Sequence, residues 1–444
     1  MTIRWEFSPD YYKRSLSAFE TALNHIAIYK SWQPLDPGGK YPIDTRFAAM
    51  PAITKGDIRE HFPQGILPID RDINRGLADR EIALVETGGT TEDKLTNIWN
   101  QKWWDASERA SWKLNSRANK IATGEHREAI LANPCNVGFI SDNVNLPLEK
   151  RRLSRFLYLN EKTDPTSWTS EHMDRMIEEL EVFKPAIFEA NPSLLARLCR
   201  YITDTGKRVF QPGIIIFTYE YPSIFHYRQV HRIFDVPIAS SYGTTETGYV
   251  FMQCEEGKFH QNSDFCRIDF QPMKPEHGGP FLGRILVTPF DNPWSYLLRF
   301  DVGDLVYLEE SGKCPCGRNS GLILSTIGGR AINVTLTCDG RLVSLYELDN
   351  AISILMGVDA YKLYQIGKSD FELHLVSRLS DKHRLSEEAS EILKKLYGKK
   401  AKVSVVYEAD IAPESSGKYL ISKALFPLKI NEYLDERCSF KKRT

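Results

Sequence analysis

Short apolar runs alternate with amphipathic stretches of helical length through the first half of the chain. Runs such as Ile214–Phe217 are bounded by turn residues, which is typical of strands buried in a sheet. The pattern predicts buried strands at 81–85, 184–189, 213–218 and 236–240, and helices at 105–130, 170–183 and 193–205. Ser170 is the expected cap of the second helix. Strands and helices that alternate at this spacing favour an α/β fold with parallel sheets.

The pattern changes in the last third of the chain. From Gly283 onwards short strands and turns predominate, and a separate α+β run begins after Gly329. This run predicts strands at 332–344, 371–377 and 402–408 and helices at 345–355 and 386–397. Because adjacent glycines at 328 and 329 offer a flexible joint, we expect a large N-terminal domain over 1–329 and a small mobile domain over 330–444.

Composition narrows the class of protein. The 444 residues suffice for two or more domains. With 57 basic and 58 acidic residues, neither a dedicated nucleic-acid binder nor a polybasic membrane anchor is expected. No apolar core follows the early arginine, and every apolar run is far shorter than the roughly 20 residues that span a bilayer. The prediction is a cytoplasmic protein without a membrane partner.

The segment Thr87-Gly88-Gly89-Thr90-Thr91-Glu92-Asp93-Lys94 directly follows the first predicted strand. Glycines let the backbone wrap closely around a polyphosphate, and amide and hydroxyl groups donate to its oxygens. An ordinary strand-to-helix turn has a similar composition. Taken alone, the segment leaves both interpretations open.

Three further segments have the residue types of a nucleotide site. Residues 241–248 (SYGTTETG) combine a tyrosine, threonines and Glu246, a carboxylate of the kind that Mg²⁺ prefers. Residues 299–305 (RFDVGDL) place carboxylates at a strand end, where one can accept hydrogen bonds from ribose hydroxyls. Residues 415–418 (SSGK) present Lys418 on a loop, from which it can neutralise phosphate charge. Each segment alone is also compatible with a surface turn.

Four residues have the spacing of a metal site. Cys314-Pro315-Cys316 is a tight pair, and Cys254 and His260 lie upstream as C-x5-H. Three thiolates and one imidazole form a closed tetrahedral set suited to structural zinc. Cys266 is an alternative ligand, and unrelated buried cysteines are the alternative interpretation. The predicted role is to tie the Glu246 loop to the segment after Asp304.

In combination and order, these segments resemble the adenylate-forming superfamily of acyl-CoA synthetases, peptide-synthetase adenylation domains and luciferases. The phenylacetate–coenzyme A ligase branch and its capsule-biosynthesis relatives are the most similar. Residues 50–60 (MPAITKGDIRE) resemble that branch's "LPLTTKEDLRE", and residues 87–94 resemble "SSGTTGKP". Residues 241–248 resemble "YGSTEGG", residues 299–305 resemble "RYRTRDL", and the Cys314 pair resembles "CPCGR". The resemblance covers nearly the whole chain.

The resemblance implies a role for each matching residue. The residues expected to bind the ATP phosphates are Thr87, Gly88, Gly89, Thr90, Thr91 and Lys94. Those expected around the adenine are Thr218, Tyr219, Glu220 and Tyr242, and Gly243 and Thr244 are also expected to bind ATP. Thr245 and Glu246 are expected near the α-phosphate and Mg²⁺, and Asp304 at the ribose hydroxyls with help from Arg330. Lys418 is the expected catalytic lysine, bridging the carboxylate and the α-phosphate.

The implied activity is ATP-dependent activation of a carboxylic acid as an acyl-adenylate, followed by transfer to a thiol such as coenzyme A. An aromatic acid is favoured by resemblance alone, and Trp99, Trp103, Trp104 and Trp112 are candidates for its pocket or for the core. Around Ile332-Asn333 the chain departs from the family's usual hinge, which leaves the acceptor open. A carrier-protein phosphopantetheine or an amine is the first alternative, and a non-enzymatic binding relative is the second. A homodimer is also left open.

Overall fold

The computed structural model describes residues 5–86, 95–137, 146–414 and 417–435. Tertiary contacts divide the chain into two compact units. The first unit comprises Met1–Asn119, Ser241–Ile327 and Asn431–Thr444, and the second comprises Lys120–Ser240 and Gly328–Ile430. The unit boundary at Gly328 lies at the predicted joint, although the segment after it groups with Lys120–Ser240. The division into domains 1–329 and 330–444 stays a prediction.

The first unit begins with helices and then forms an antiparallel hairpin. Its α-helices are Pro9–His25, Ile43–Ala48, Lys55–His61, Ile73–Ala78, Gln101–Trp112 and Ser116–Ala122. The last of these helices ends at residues that belong to the second unit. Short 3₁₀ helices occupy Ala27–Leu35, Pro275–His277 and Ile430–Tyr433. The hairpin pairs Ala83–Glu86 with Thr96–Trp99.

A larger sheet forms the rest of the first unit. Its strands lie in the order Cys266–Pro272, Leu282–Pro289, Phe300–Leu308, Ile323–Arg330, Phe259–Gln261, Gly248–Gln253 and Ile238–Thr244. The first three strands pair antiparallel, as do the last four. Phe19, Phe47, Phe251 and Phe300 are fully buried in the core against this sheet. Each such side chain contributes about 1.5–3 kcal/mol by leaving water.

The second unit contains the parallel sheet that the alternation predicts. Its parallel strands lie in the order 238–240, Ile214–Phe217, Ile187–Ala190, Glu128–Leu131 and Phe156–Tyr158. At the edge, Arg152–Leu153 pairs antiparallel with Phe156–Tyr158. The helices of this part are Pro134–Val137, Leu148–Arg151, Ser170–Phe183, Pro192–Thr205 and Ile224–His231, with a 3₁₀ turn at Pro165–Ser167. All four side chains of the Ile214–Phe217 strand are buried, because helices cover this sheet.

The C-terminal part of the second unit is a four-stranded α+β module. Its strands lie in the order Lys402–Glu408, Asp370–Ser377, Val358–Gln365 and Ser422–Ala424. The helices Leu345–Ile352 and Lys382–Tyr397 pack on this sheet. Before it come the 3₁₀ turn Ala331–Asn333 and a small ladder of Thr335–Leu336 with Leu342–Val343.

The α/β fold class with a β-rich portion is confirmed, while several local predictions are wrong. The strand expected at 81–85 is Ala83–Glu86, and it is largely exposed because it belongs to a two-stranded hairpin rather than to the parallel sheet. The segment predicted helical at 105–130 ends in the buried strand Glu128–Leu131. Thr169, not Ser170, caps the helix Ser170–Phe183, since its side chain accepts from the His172 N–H. Within the described ranges, no helix is both long and apolar enough to cross a membrane.

Candidate active site and metal centre

The segment predicted to bind adenine and magnesium forms a tight hairpin in the first unit. Residues 241–244 pair with Gly248–Gln253, and Thr247 N–H donates to the Thr244 hydroxyl at 3.2 Å. Gly243 permits this close approach, because a Cβ there would collide with the Gly248 carbonyl oxygen. Gly248 itself has φ +70°, which favours glycine. The turn therefore presents Thr245 and Glu246 from a rigid support.

Tyr242 and Asp304 meet although 62 residues separate them. The Tyr242 hydroxyl donates to Asp304 Oδ2 at 2.7 Å. Asp304 lies within the strand Phe300–Leu308 and is only 9% exposed. The structure thus brings together the residues expected at the adenine and at the ribose.

Glu246 is almost completely buried at the turn, with its side chain 2% exposed. Lys55 Nζ lies 3.2 Å from Glu246 Oε1, in an ion pair whose angles fall outside the hydrogen-bond range. Oε1 therefore has no hydrogen-bond partner among the described residues. A buried carboxylate oxygen with free acceptor capacity suits a hard cation such as Mg²⁺.

A narrow cleft next to this turn is lined by Thr245 and Glu246 together with Trp99 and Trp104, among others. The rings of Trp99 and Trp104 lie with centroids 4.2 Å apart. Trp112 is fully buried, and Trp103 is buried with its indole N–H donating to the Phe290 carbonyl at 2.8 Å. Trp112 is therefore a core residue, Trp103 is buried but also lines the cleft, and Trp99 and Trp104 line it as well.

The predicted phosphate-binding loop, residues 87–94, lies outside the described residues. Its flanking strands are described: Glu86 and Thr96 face each other in the hairpin Ala83–Glu86/Thr96–Trp99. The helix that follows begins at Gln101 because Asn100 caps it, accepting from the Trp103 N–H at 2.9 Å. The assignment of the six phosphate-binding residues stays a prediction.

The predicted catalytic lysine lies in the second unit, next to residues that are joined by backbone hydrogen bonds. The Glu414 N–H donates to the Lys418 carbonyl at 2.9 Å, and the Gly417 N–H donates to the Glu414 carbonyl at 2.8 Å. Gly417 has φ +74°, and a Cβ there would collide with the Asn133 amide. The chain therefore needs glycine immediately before Lys418.

The second unit also contains Glu220, Tyr219 and Arg330, which are predicted to bind the nucleotide. The Glu220 carboxylate accepts from the backbone N–H groups of Ser193 at 3.1 Å and Tyr419 at 3.4 Å. Burial raises the pKa of Glu220, and these donors oppose that shift. Tyr219 has φ +77°, a left-handed conformation that is rare outside glycine and clusters at functional sites. Arg330, at the end of its strand, is exposed.

The four predicted metal ligands converge in the first unit. The ligand atoms of Cys254, His260, Cys314 and Cys316 all lie within 4.8 Å of one another. Cys254 Sγ and Cys314 Sγ are 3.7 Å apart, and Cys316 Sγ lies 3.3 Å from His260 Nε2. A zinc ion with Zn–S bonds of about 2.3 Å holds sulfurs about 3.8 Å apart and a sulfur and a nitrogen about 3.5 Å apart. These two distances are therefore close to those of a tetrahedral zinc site.

Burial shifts the pKa values of two groups in this cluster. Burial lowers the pKa of His260 to about 4, so that the ring is neutral and can coordinate. Burial raises the pKa of the Cys314 thiol to about 12. Its thiolate therefore needs a positive charge beside it, which a metal ion would supply. Cys266, the alternative ligand, is not in the cluster; its thiol is fully buried and points to the Asn262 carbonyl at 3.6 Å.

Sequence reasoning missed Lys55 as a site residue. The segment 50–60 was matched to the family without a role for any side chain. The contact with Glu246 joins residues far apart in sequence, so no local pattern could have indicated it.

No family model matches the chain. Protein CapK of Staphylococcus aureus is 22% identical over 354 residues, which cover 73% of this chain and 72% of CapK. The structure is similar to 2-hydroxyisobutyryl-CoA ligase in the postadenylation state with 2-HIB-AMP, with a TM-score of 0.66, 15% identity, and coverage of 95% of this chain and 90% of that one. An open conformation of the same ligase in complex with 2-HIB-AMP and CoA gives a TM-score of 0.57 at 14% identity over 94% and 91% of the two chains. The chain therefore has the fold of an adenylate-forming CoA ligase.

Proposed function

We propose that the protein activates a small carboxylic acid with ATP and transfers the acyl group to a thiol. In the first step, a carboxylate oxygen bonds to the α-phosphorus of ATP and the bond to the β-phosphate bridging oxygen breaks, releasing pyrophosphate. In the second step, a thiolate bonds to the acyl carbon and AMP leaves. The fold supports this proposal, since the ligase that shares it was solved with an acyl-adenylate and CoA.

The observation that carries the proposal is the contact between Tyr242 and Asp304. Their hydrogen bond of 2.7 Å joins the two segments that the family resemblance assigns to the adenine and to the ribose. Glu246 follows on the same turn, with a buried oxygen suited to the magnesium ion that accompanies ATP. A bound magnesium ion would neutralise phosphate charge. Asp304 would orient the ribose, and Lys418 would stabilise charge on the α-phosphate during acid attack.

An acid panel tests this function. Aromatic, heteroaromatic and aliphatic carboxylic acids are each incubated with Mg²⁺, ATP and labelled pyrophosphate. We expect pyrophosphate exchange into ATP that depends on the acid, with the strongest exchange for an aromatic acid. Absence of exchange with every acid of the panel would contradict adenylation.

The acceptor is tested separately with the best acid of that panel. We expect a thioester when coenzyme A or a phosphopantetheinyl carrier is added, detected by mass spectrometry. If only amines are acylated, the thiol part of the proposal is wrong while adenylation stands.

We further propose that Cys254, His260, Cys314 and Cys316 bind a structural zinc ion. The tetrahedral spacing of their ligand atoms supports this assignment. Such a site would connect the end of the Gly248–Gln253 strand, which follows the Glu246 turn, to the segment after Phe300–Leu308, which carries Asp304. The proposed chemistry requires no zinc, so its role is to fix these two strands.

Removing the metal is expected to lower the melting temperature by on the order of 10 °C, because a closed site contributes its binding energy to folding. The measurement is a thermal melt with and without a strong chelator, together with elemental analysis for one zinc per chain. Cys314→Ser should melt early and respond no further to the chelator, whereas the exposed Cys135→Ser should behave like the wild type. Wild-type protein without zinc, or with an unchanged melt, would refute the site.

A further inference from the structure

Lys55 is held in place by both its helix and the neighbouring strand. It is the first residue of the helix Lys55–His61, whose start is fixed by a capping box between Thr54 and Asp57. Two residues earlier, Ile53 bridges the strand that carries Asp304: the Ile53 N–H donates to the Arg299 carbonyl at 3.2 Å, and the Asp301 N–H donates to the Ile53 carbonyl at 2.9 Å. The backbone of Lys55 is therefore fixed relative to Asp304.

From this position the side chain reaches the buried carboxylate at the turn. Lys55 Nζ lies 3.2 Å from Glu246 Oε1, and Lys55 is 27% exposed while Glu246 is 2% exposed. Burying a carboxylate without a cation nearby costs free energy, and the Lys55 ammonium offsets that cost. The same oxygen makes no hydrogen bond within the described ranges, so the ammonium holds it by charge alone. That leaves its lone pairs available to a metal ion.

We propose that Lys55 is a positioning residue that acts as a placeholder cation on Glu246 until a divalent metal and its nucleotide bind. The inference rests on the proposed function. In the empty site, the ammonium lies against Glu246 Oε1 and keeps the carboxylate directed at its future ligand. When the metal binds the carboxylate, the ammonium leaves Oε1, and its flexible four-carbon stem lets it move towards the incoming phosphate charge. A purely structural ion pair would remain intact in both states.

The Lys55 ammonium and the metal ion compete for the Glu246 carboxylate. Substitutions of Lys55 that remove or strengthen its ion pair are therefore expected to shift the metal affinity in opposite directions. Lys55→Met removes the competitor and should lower the dissociation constant of Mn²⁺ by roughly 3–10-fold in the presence of α,β-methylene-ATP. Lys55→Arg introduces a bidentate partner for the carboxylate and should raise that constant. Electron paramagnetic resonance of free Mn²⁺ measures both without turnover.

Thermal melts provide a second readout. Without nucleotide, Lys55→Met should melt a few degrees early because Glu246 is left buried without its cation, and Lys55→Met/Glu246→Gln should recover most of that loss. With Mg²⁺ and α,β-methylene-ATP, the deficit of Lys55→Met should disappear. The exposed Lys30→Met is the matched control and should change neither readout.

The placeholder role would be overturned if Lys55→Met lost the same melting temperature with and without Mg²⁺ and α,β-methylene-ATP. It would also be overturned if Lys55→Met and Lys55→Arg shifted the Mn²⁺ dissociation constant in the same direction or left it unchanged. In either case wild-type protein that binds the analogue keeps the proposed function intact. Wild-type protein that fails to bind it would instead refute the proposed function together with this inference.

Discussion

Replacing Lys418 with alanine is expected to slow acyl-adenylate formation by roughly 10²–10³-fold, the usual cost of removing one donor that stabilises transition-state charge. Transfer from a preformed acyl-adenylate to the thiol should be nearly unchanged, because the α-phosphate then leaves with AMP and needs no new stabilisation by the lysine. The two half-reactions therefore separate in this variant.

The structure makes this substitution interpretable, because other groups hold the backbone around Lys418. Its carbonyl accepts from the Glu414 N–H, and the next residue, Tyr419, donates its N–H to the partly buried Glu220. Gly417 fits closely against Asn133. None of these contacts involves the lysine side chain, so alanine should remove the ammonium and leave the turn in place.

Single-turnover assays check the prediction: pyrophosphate release for the first half-reaction, and consumption of a synthetic acyl-adenylate for the second. Lys400→Ala, which removes an exposed lysine elsewhere in the same unit, is the control and should leave both rates near the wild type. Equal losses in both half-reactions of Lys418→Ala would mean that the lysine is structural or that another residue is the catalytic lysine.

The parts of the fold that could be predicted are those whose signals are local. The helix Pro192–Thr205 has all of its signals in sequence: Asn191 as its cap, proline at its first position and glycine at its end. The convergence of Cys254, His260, Cys314 and Cys316 could be predicted for the same reason, because C-x-C and C-x5-H spacings keep each pair close and only one long-range contact brings the two pairs together.

Predictions failed where the identity of a pairing partner decides the structure. Ala83–Glu86 has the composition of a buried strand, yet its partner is the short strand Thr96–Trp99, and Leu84 stays 46% exposed. The strand Val358–Gln365 was also missed. Its residues alternate between buried and partly exposed because Asp370–Ser377 and Ser422–Ala424 pair with it on either side, and neither partner is evident from the segment itself. The ion pair of Lys55 and Glu246 likewise depends on the fold as a whole.

Replacing Asp304 with alanine is expected to lower kcat/KM for ATP by about 10²-fold or more. Hydrogen bonds to a charged group contribute about 1.5–3 kcal/mol each, and a ribose offers two hydroxyls to this carboxylate. Asp304 is mostly buried, so water cannot readily replace the lost acceptor. The loss should appear in steady-state kinetics with ATP varied at a saturating concentration of the acid.

Comparing ATP with 2′-deoxy-ATP and 3′-deoxy-ATP makes the assignment specific. Wild-type protein should prefer ATP over at least one analogue, because an analogue without the hydroxyl deprives the buried carboxylate of one hydrogen-bond donor. In Asp304→Ala this preference should fall to nearly one, since neither substrate then has a partner to lose. Retained discrimination in the variant would place the ribose elsewhere, whatever the absolute rates.

Two controls separate recognition of the ribose from support of the site. Tyr242→Phe removes the 2.7 Å hydrogen bond to Asp304 but keeps the carboxylate, so it should cost less than about tenfold and retain discrimination. Asp301→Ala removes a carboxylate from the same strand whose partner is Arg284 at 2.9 Å, and it should leave the preference for ribose unchanged. Only the variant that lacks the Asp304 carboxylate should lose the ability to distinguish ATP from its deoxy analogues, because it alone removes the acceptor of the ribose hydroxyls.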